Sequence, residues 1–112
     1  MSTITRPPDI EAEITLLPTI EGGRHTVALS GYRPTHDFDL SGMLNDAVHE
    51  YIGCDSIAPE ASAKANMWFL APDHQVERLY PGFKFTVQEG SRIVGYGVIT
   101  KVFNEVLRRK GT

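Results

Sequence analysis

The 112-residue sequence has one cysteine, no long apolar run and no excess of positive charge. Cys54 is the only cysteine, so no disulfide can form within the chain, which fits a reducing compartment. No stretch approaches the roughly 18 apolar residues of a membrane-spanning helix, and residues 1–11 lack the apolar segment of a signal peptide. We therefore expect a cytoplasmic protein with no membrane partner.

Charge is mixed along the chain. The chain has 11 Lys and Arg residues and 14 Asp and Glu residues, which gives a formal net charge of −3. Proteins that bind nucleic acid without specificity usually gain affinity from an excess of cations facing the phosphates. The sequence argues against that class but leaves room for a local basic patch. The length suits one domain with one modest core.

Motifs for nucleotide binding and catalysis are missing. The sequence contains neither a G-x-x-x-x-G-K-[ST] phosphate loop nor a G-x-G-x-x-G turn, so we expect no GTP binding. It has no G-x-S-x-G nucleophile elbow, and Cys54 has no cationic neighbour in sequence that would lower its pKa. These absences predict a protein that is not an enzyme and carries no cofactor.

Histidine and aspartate are clustered only in the stretch His36-Asp-Phe-Asp39. On a strand, His36 would point away from the two aspartates, so the three side chains would not converge on a metal ion. We expect His36 in a polar loop after Pro34 and His49 at the surface. No metal site is predicted.

Alternation of apolar and polar residues predicts mainly strands. Residues 9–17 place Ile10, Ala12, Ile14 and Leu16 on one face, which is typical of a half-buried strand. Further strand-like segments are residues 26–32, 64–70, 83–88 and 92–102. Many short strands separated by Gly and Pro turns indicate a small antiparallel barrel or sandwich.

One segment has a different spacing. Residues 43–52 put Met43, Ala47 and Tyr51 on one line at helical intervals, and Ser41 is a suitable N-cap. We expect a short helix there, and one or two helical turns over residues 72–79, where Pro72 suits the first helical position.

Glycines mark the last hairpin, "VQEGSRIVGYGVITKV". Gly90 lies in the loop where a left-handed residue is needed. Gly95 and Gly97 share one face of the following strand, which is typical of a bend or of a close approach by another backbone or side chain.

Two long stretches resemble the C-terminal domain, domain 3, of bacterial elongation factor Tu. The hairpin "FTVQEGSRIVGYGVITKV" resembles that domain's closing hairpin, and "EAEITLLPTIEGGRHTVALSGYRP" resembles its start. In the hairpin the matching residues are Glu89, Gly90, Arg92, Val94, Gly95, Gly97, Val98 and Lys101. In the first stretch they are Glu11, Ala12, Glu13, Glu21, Gly22, Gly23, Arg24, His25, Thr26, Gly31, Tyr32, Arg33 and Pro34.

The resemblance implies an all-β fold, a six-stranded antiparallel Greek-key β-barrel with a short helical insertion. It assigns residues 9–103 to the barrel, residues 1–8 to a flexible N-terminus and residues 104–112 to a C-terminal tail. It also implies a binding module that contacts the T stem of tRNA, or a translation factor, through Arg24, His25, Glu89 and Gly90.

Departures from the family leave a second interpretation open. The 112 residues contain no counterpart of the family's GTPase domain or second barrel, and residues 35–64 differ from its middle strands. Such a remodelled surface, centred on residues 38–57, suits a protein partner, as in an immunity protein or antitoxin that neutralises a protein toxin. On that interpretation Leu44, Val48 and Tyr51 are the candidate contact residues, with Tyr51 as the anchor.

Overall fold

The computed structural model describes residues 5–38 and 43–110. Over these residues the strands are β1 (Ile10–Leu16), β2 (Ala28–Leu29), β3 (Thr35–Asp37), β4 (Leu44–Tyr51), β5 (Ser56–Ile57), β6 (Ser62–Phe69), β7 (Lys84–Glu89) and β8 (Arg92–Val102). Short 3-10 helices span Thr19–Glu21, Pro72–Gln75 and Glu105–Leu107.

Six strands close into an antiparallel barrel in the order β1, β6, β4, β3, β7, β8, and β8 pairs back with β1. The barrel strands β3, β4 and β6 follow one another in sequence, and β1 lies beside β6, which is the strand order of a Greek key. Strands β2 and β5 form a separate two-stranded sheet. The expected fold class, a six-stranded antiparallel barrel, is confirmed.

Alternation along β1 accounts for its place in the barrel. Ile10, Ala12, Ile14 and Leu16 face inward and are fully or almost fully buried. Glu13 and Thr15 face outward and are exposed, as the sequence predicts. Packing of the inward row against the other strands removes apolar surface from water, which is the main stabilising contribution to such a core.

The expected helix over residues 43–52 is wrong. These residues form β4, which pairs with β3 on one side and with β6 on the other. Its inward row is Asn45, Ala47, His49 and Tyr51, all buried. Two of these four residues are polar, so the sequence pattern hides the two-residue period, and pairing with two neighbouring strands outweighs the local helical spacing. The N-cap expected at Ser41 lies outside the described residues.

The other predicted elements differ less from the structure. The strand expected over residues 26–32 is only β2, while residues 72–79 contribute the 3-10 helix Pro72–Gln75. Among residues 5–38 and 43–110 every helix is of this short 3-10 type. None of them is long and apolar enough to cross a membrane.

The two glycines of β8 permit close contacts, as expected. Gly97 pairs with Phe85 of β7, and a Cβ at Gly97 would lie 2.2 Å from the Phe85 ring. A Cβ at Gly95 would lie 2.7 Å from the backbone oxygen of Thr15. Glycine at these positions therefore lets an aromatic ring and a neighbouring strand approach the β8 backbone.

Both ends of the described chain are attached to the barrel. The Asp9 carboxylate accepts hydrogen bonds from Arg6, Asn104 and the backbone N–H of Phe69. At the other end Leu107 is 1% exposed, and Arg108 forms a parallel bridge with Leu79. The barrel's contacts therefore extend past the boundaries expected at residues 9 and 103.

Candidate site at the β7–β8 hairpin

Three distant segments meet around the side chain of Glu89, the last residue of β7. The hydroxyl of Tyr32 donates to Glu89 Oε2 at 2.5 Å, and Arg24 Nη1 forms an ion pair with the same oxygen. Arg92, the first residue of β8, donates from Nη2 to Glu89 Oε1 at 3.1 Å. We call the three donors Arg24, Tyr32 and Arg92 the carboxylate cradle.

Arg24 is held firmly in this cradle. Its guanidinium carbon lies 4.5 Å from the centre of the Tyr32 ring, a cation–π arrangement. It also donates to the backbone oxygen of Val27 at 3.1 Å, and its side chain is 19% exposed. Arg24 thus holds its own loop against the hairpin, and in this arrangement its charge is balanced by Glu89.

Contacts within the cradle shift the pKa values of Glu89 and of two donors, Arg24 and Tyr32. Burial alone would raise the pKa of the Glu89 carboxyl, but hydrogen bonds from Tyr32 and Arg24 outweigh it and the pKa is lowered. Burial opposes the Arg24 charge, yet the bonds to Tyr32 and Glu89 raise its pKa. The pKa of Tyr32 is raised, first by burial and then by its bond to Glu89. At neutral pH the cradle therefore holds a carboxylate, a charged guanidinium and a neutral phenol.

A groove of about 630 Å³ runs beside the cradle on the outside of the barrel. Its lining includes Thr35 of β3, which pairs with Asp46 of β4 and with Gln88 of β7. The lining residues are Tyr32, Arg33, Pro34, Thr35, Leu44, Asp46, Gln88, Glu89 and Gly90. We call it the β3 groove, because its lining includes Thr35 of the short strand β3 and residues of the two longer neighbouring strands, β4 and β7.

Two side chains at this end of the barrel have no partner in the part of the chain that the structure describes. Arg33 and His25 are exposed, and neither side chain has a hydrogen bond or ion pair with the rest of residues 5–38 and 43–110. Beside them, Gly90 has a φ of 64°, a left-handed conformation that favours glycine, and it is exposed at the hairpin tip with Ser91. The end of the barrel thus offers a guanidinium, an imidazole and an accessible backbone.

The four residues implied by the resemblance have different environments. Arg24 and Glu89 are joined by an ion pair, Gly90 follows Glu89 at the tip, and His25 stands outside the cradle. Arg33 and Arg92 were not among those four residues. Arg92 is the cross-strand partner of Glu89 within the hairpin, whereas the place of Arg33 near Glu89 depends on contacts between segments far apart in sequence.

The three candidate contact residues of the protein-partner hypothesis lie in different environments. Leu44 is 42% exposed and lines the β3 groove, next to Glu89 and Gly90. Val48 is half-buried on the same outer face of β4. Tyr51 is 5% exposed and faces the barrel interior, so it cannot be the expected surface anchor. The correction follows from β4 being a strand, because residues 44 and 51 then lie on opposite faces.

A second polar cluster lies inside the barrel and was not predicted. His36 and His49 are fully buried, and their Nε2 atoms are 2.8 Å apart. His36 Nδ1 is 2.9 Å from the backbone oxygen of Asn45, and His49 Nδ1 is 3.3 Å from the Tyr51 hydroxyl. The expectations of a loop position for His36 and a surface position for His49 are wrong. Reading residues 45, 47, 49 and 51 as one strand face would have placed His49 inside.

The partners fix the protons in this cluster. A carbonyl oxygen only accepts, so His36 Nδ1 carries hydrogen and donates to Asn45. His36 Nε2 then accepts from the N–H at His49 Nε2, and His49 Nδ1 accepts from the Tyr51 hydroxyl. Burial lowers the pKa of His36 to about 4, although the Asn45 carbonyl and Asp46 oppose the shift. Burial, together with His36, holds the pKa of His49 well below its usual range.

Within residues 5–38 and 43–110, no group of three or more His, Cys, Asp and Glu residues could hold a metal ion. No family model matches this chain. At the hairpin end of the barrel the described side chains offer charge and hydrogen bonding at an exposed surface.

Proposed function

We propose that this protein is a non-enzymatic binding module that contacts the sugar–phosphate backbone of a structured RNA, such as the T stem of tRNA. The observation that carries the proposal is the pair of exposed side chains Arg33 and His25, which have no partner among the residues that the structure describes, with Arg33 lining the same groove as Gly90. Guanidinium groups and backbone N–H groups are the usual partners of phosphate oxygens.

Local charge supports this proposal despite the overall charge of the chain. Three arginines, Arg24, Arg33 and Arg92, stand with two carboxylates, Glu89 and Asp46, at the cradle and the β3 groove, giving three minus two, or +1. The whole chain has a formal charge of −3. An RNA backbone is therefore attracted to this end of the barrel more than to the rest of the surface.

The test is binding of tRNA at two or more salt concentrations to the wild type, Arg33→Ala and Arg109→Ala. We expect Arg33→Ala to weaken binding and to reduce the salt slope by roughly one, equally for tRNAs of different sequence. Arg109 is the matched control, because it is exposed and follows Arg108, whose side chain bonds to Val102 at the end of β8 opposite to the hairpin. Equal binding by the two variants, or no tRNA binding by the wild type at low salt, would contradict the proposal.

Exposed apolar side chains favour a second candidate function, binding of a protein such as a toxin. Leu44 is 42% exposed and Leu70 is 51% exposed, and the Leu70 N–H bonds to the backbone of Asp46 on the same strand as Leu44. An apolar surface beside Asp46 on an acidic protein suits a basic protein partner.

This candidate is tested by co-purification from the native host with Leu44→Asp and Leu29→Asp. Leu29 is the control, because it is 62% exposed but lies on β2, outside the barrel sheet. We expect Leu44→Asp to lose a protein partner that Leu29→Asp and Arg33→Ala retain. A partner kept equally by all three variants would place the contact elsewhere.

A further inference from the structure

The Glu89 carboxylate is surrounded by hydrogen-bond donors. Its two oxygens receive donors from three places in the chain: Tyr32 and Arg24 at Oε2 and Arg92 at Oε1. Two guanidinium groups and a hydroxyl around one small anion form the kind of donor set that also binds phosphate. A phosphate group offers oxygens with the same need for donors and carries at least the same charge.

We propose that the cradle is a binding site for one phosphate group and that Glu89 masks it in the unbound protein. Resting on the proposed function, we take the RNA backbone as the source of that phosphate. On binding, the phosphate replaces the Glu89 carboxylate between Arg24 and Arg92, and the carboxylate moves into solvent.

The hairpin allows this exchange. Glu89 is the last residue of β7, and its side chain is 31% exposed, so a ligand can reach it without opening the barrel. The register of β7 and β8 shifts between Val87 and Gln88, and Gly90 follows with a positive φ. Tyr32 and Arg24 lie outside the hairpin, so two of the three donors keep their places when the Glu89 side chain moves.

Masking reduces the apparent affinity for phosphate by the fraction of molecules whose cradle is open. If about one molecule in ten is open, removing the competing charge strengthens binding about tenfold. Glu89→Gln is the suitable change, because it keeps the side-chain shape and an acceptor for Tyr32 but removes the negative charge. Glu13→Gln is the matched control, since Glu13 is exposed on β1 and the change in net charge is the same.

The first experiment titrates tRNA into the wild type and the two variants. We expect Glu89→Gln to bind about tenfold more tightly than Glu13→Gln. Affinities that are equal in the two variants, or weaker binding by a folded Glu89→Gln protein, would overturn the masking role.

The second experiment uses inorganic phosphate alone and follows thermal unfolding, so it does not depend on RNA. A ligand that binds only the folded state raises the melting temperature, whereas the general stabilising effect of phosphate acts on all three proteins alike. We expect a larger phosphate-dependent rise for Glu89→Gln than for Glu13→Gln or the wild type. Equal rises would overturn the phosphate site even if tRNA binds through Arg33. A larger rise without any tRNA binding would retain the site and reject the proposed RNA function.

Discussion

The Nε2 atoms of His36 and His49 lie 2.8 Å apart in the barrel interior, and one N–H between them serves both rings. A second proton at this contact would place two donors against each other away from water, where an unpaired charge is strongly disfavoured. The two rings are therefore a neutral pair whose hydrogen bonds depend on pH.

Acid is expected to destabilise the protein through this pair. The pKa of His36 is about 4 in the folded protein and about 6.5 in an unfolded chain, so the unfolded state takes up protons first. The stability that neutral His36 contributes is fully present above about pH 6.5 and is lost as the pH falls towards 4. The difference of roughly 2.5 units corresponds to about 3 kcal/mol for His36 alone. Urea unfolding measured between pH 4 and 7 checks the expected slope.

The matched variant replaces both rings by apolar side chains, His36→Leu with His49→Leu. Replacing both rings avoids leaving one ring nitrogen against an apolar side chain. The Tyr51 hydroxyl and the Asn45 carbonyl lose a partner, so the variant should be less stable than the wild type at pH 7. Its stability should change less between pH 7 and 4 than that of the wild type, whereas exposed His74→Leu should retain the wild-type slope. A double variant with an unchanged slope would show that other groups cause the acid sensitivity.

Gly97→Ala is expected to destabilise the barrel by about 1–3 kcal/mol, because the added methyl would overlap the Phe85 ring. That ring cannot move freely, since its centre lies 4.7 Å from the centre of the Phe38 ring in the core. Thermal unfolding measures the loss. Combining Gly97→Ala with Phe85→Leu should cost less than the sum of the two single changes, because the smaller side chain removes the overlap. Strict additivity would contradict the contact.

Much of the barrel could be predicted from the sequence, for identifiable reasons. In β1 the apolar residues recur at every second position, and β8 carries glycines at the places where a ring and a strand approach. In β4 the inward row includes Asn45 and His49, so a rule based on apolar residues assigns those positions to the outside. Only the contact with β3, which brings His36 next to His49, shows why the His49 side chain is acceptable there. The Asn45 amide donates instead to the backbone oxygen of Ala71.

The candidate site was predictable only in part. The resemblance selected Arg24 and Glu89, and the structure joins them. It could not show that the Arg24 charge is balanced by Glu89, because that depends on distances between segments 65 residues apart. Nor could it select Arg33, whose importance comes from having no partner among the described residues.

Asp9→Ala is expected to cost about 2–3 kcal/mol, because it leaves the buried N–H of Phe69 without its acceptor. The Asp9 side chain also accepts from Arg6 and Asn104, so the same change removes one side-chain contact near each end of the described chain. Urea unfolding at neutral pH measures the loss. The control is Glu13→Ala on the exposed face of β1, which should stay close to the wild type. Equal stabilities of the two variants would show that the Asp9 contacts contribute little.

Tyr32→Phe should weaken the cradle without dismantling it. The change removes one donor to Glu89 Oε2 and leaves the Arg24 ion pair and the stacked ring. Because the Tyr32 bond helps to lower the pKa of the Glu89 carboxyl, that pKa should rise in the variant, and the protein should lose about 0.5–1.5 kcal/mol of stability. The pKa can be followed by NMR titration of the Glu89 side chain.

The control is Tyr96→Phe, which removes a hydroxyl from a side chain that is 50% exposed on β8. It should change neither the Glu89 pKa nor the stability. Amide hydrogen exchange gives an independent measurement, because a weaker cradle should speed exchange at the tip of the β7–β8 hairpin while the centre of β1 stays protected. An unchanged Glu89 pKa in Tyr32→Phe would mean that Arg24 and Arg92 alone hold the carboxylate. Phosphate would then compete with the Glu89 carboxylate for the guanidinium groups of Arg24 and Arg92. The Tyr32 hydroxyl would contribute little to that site.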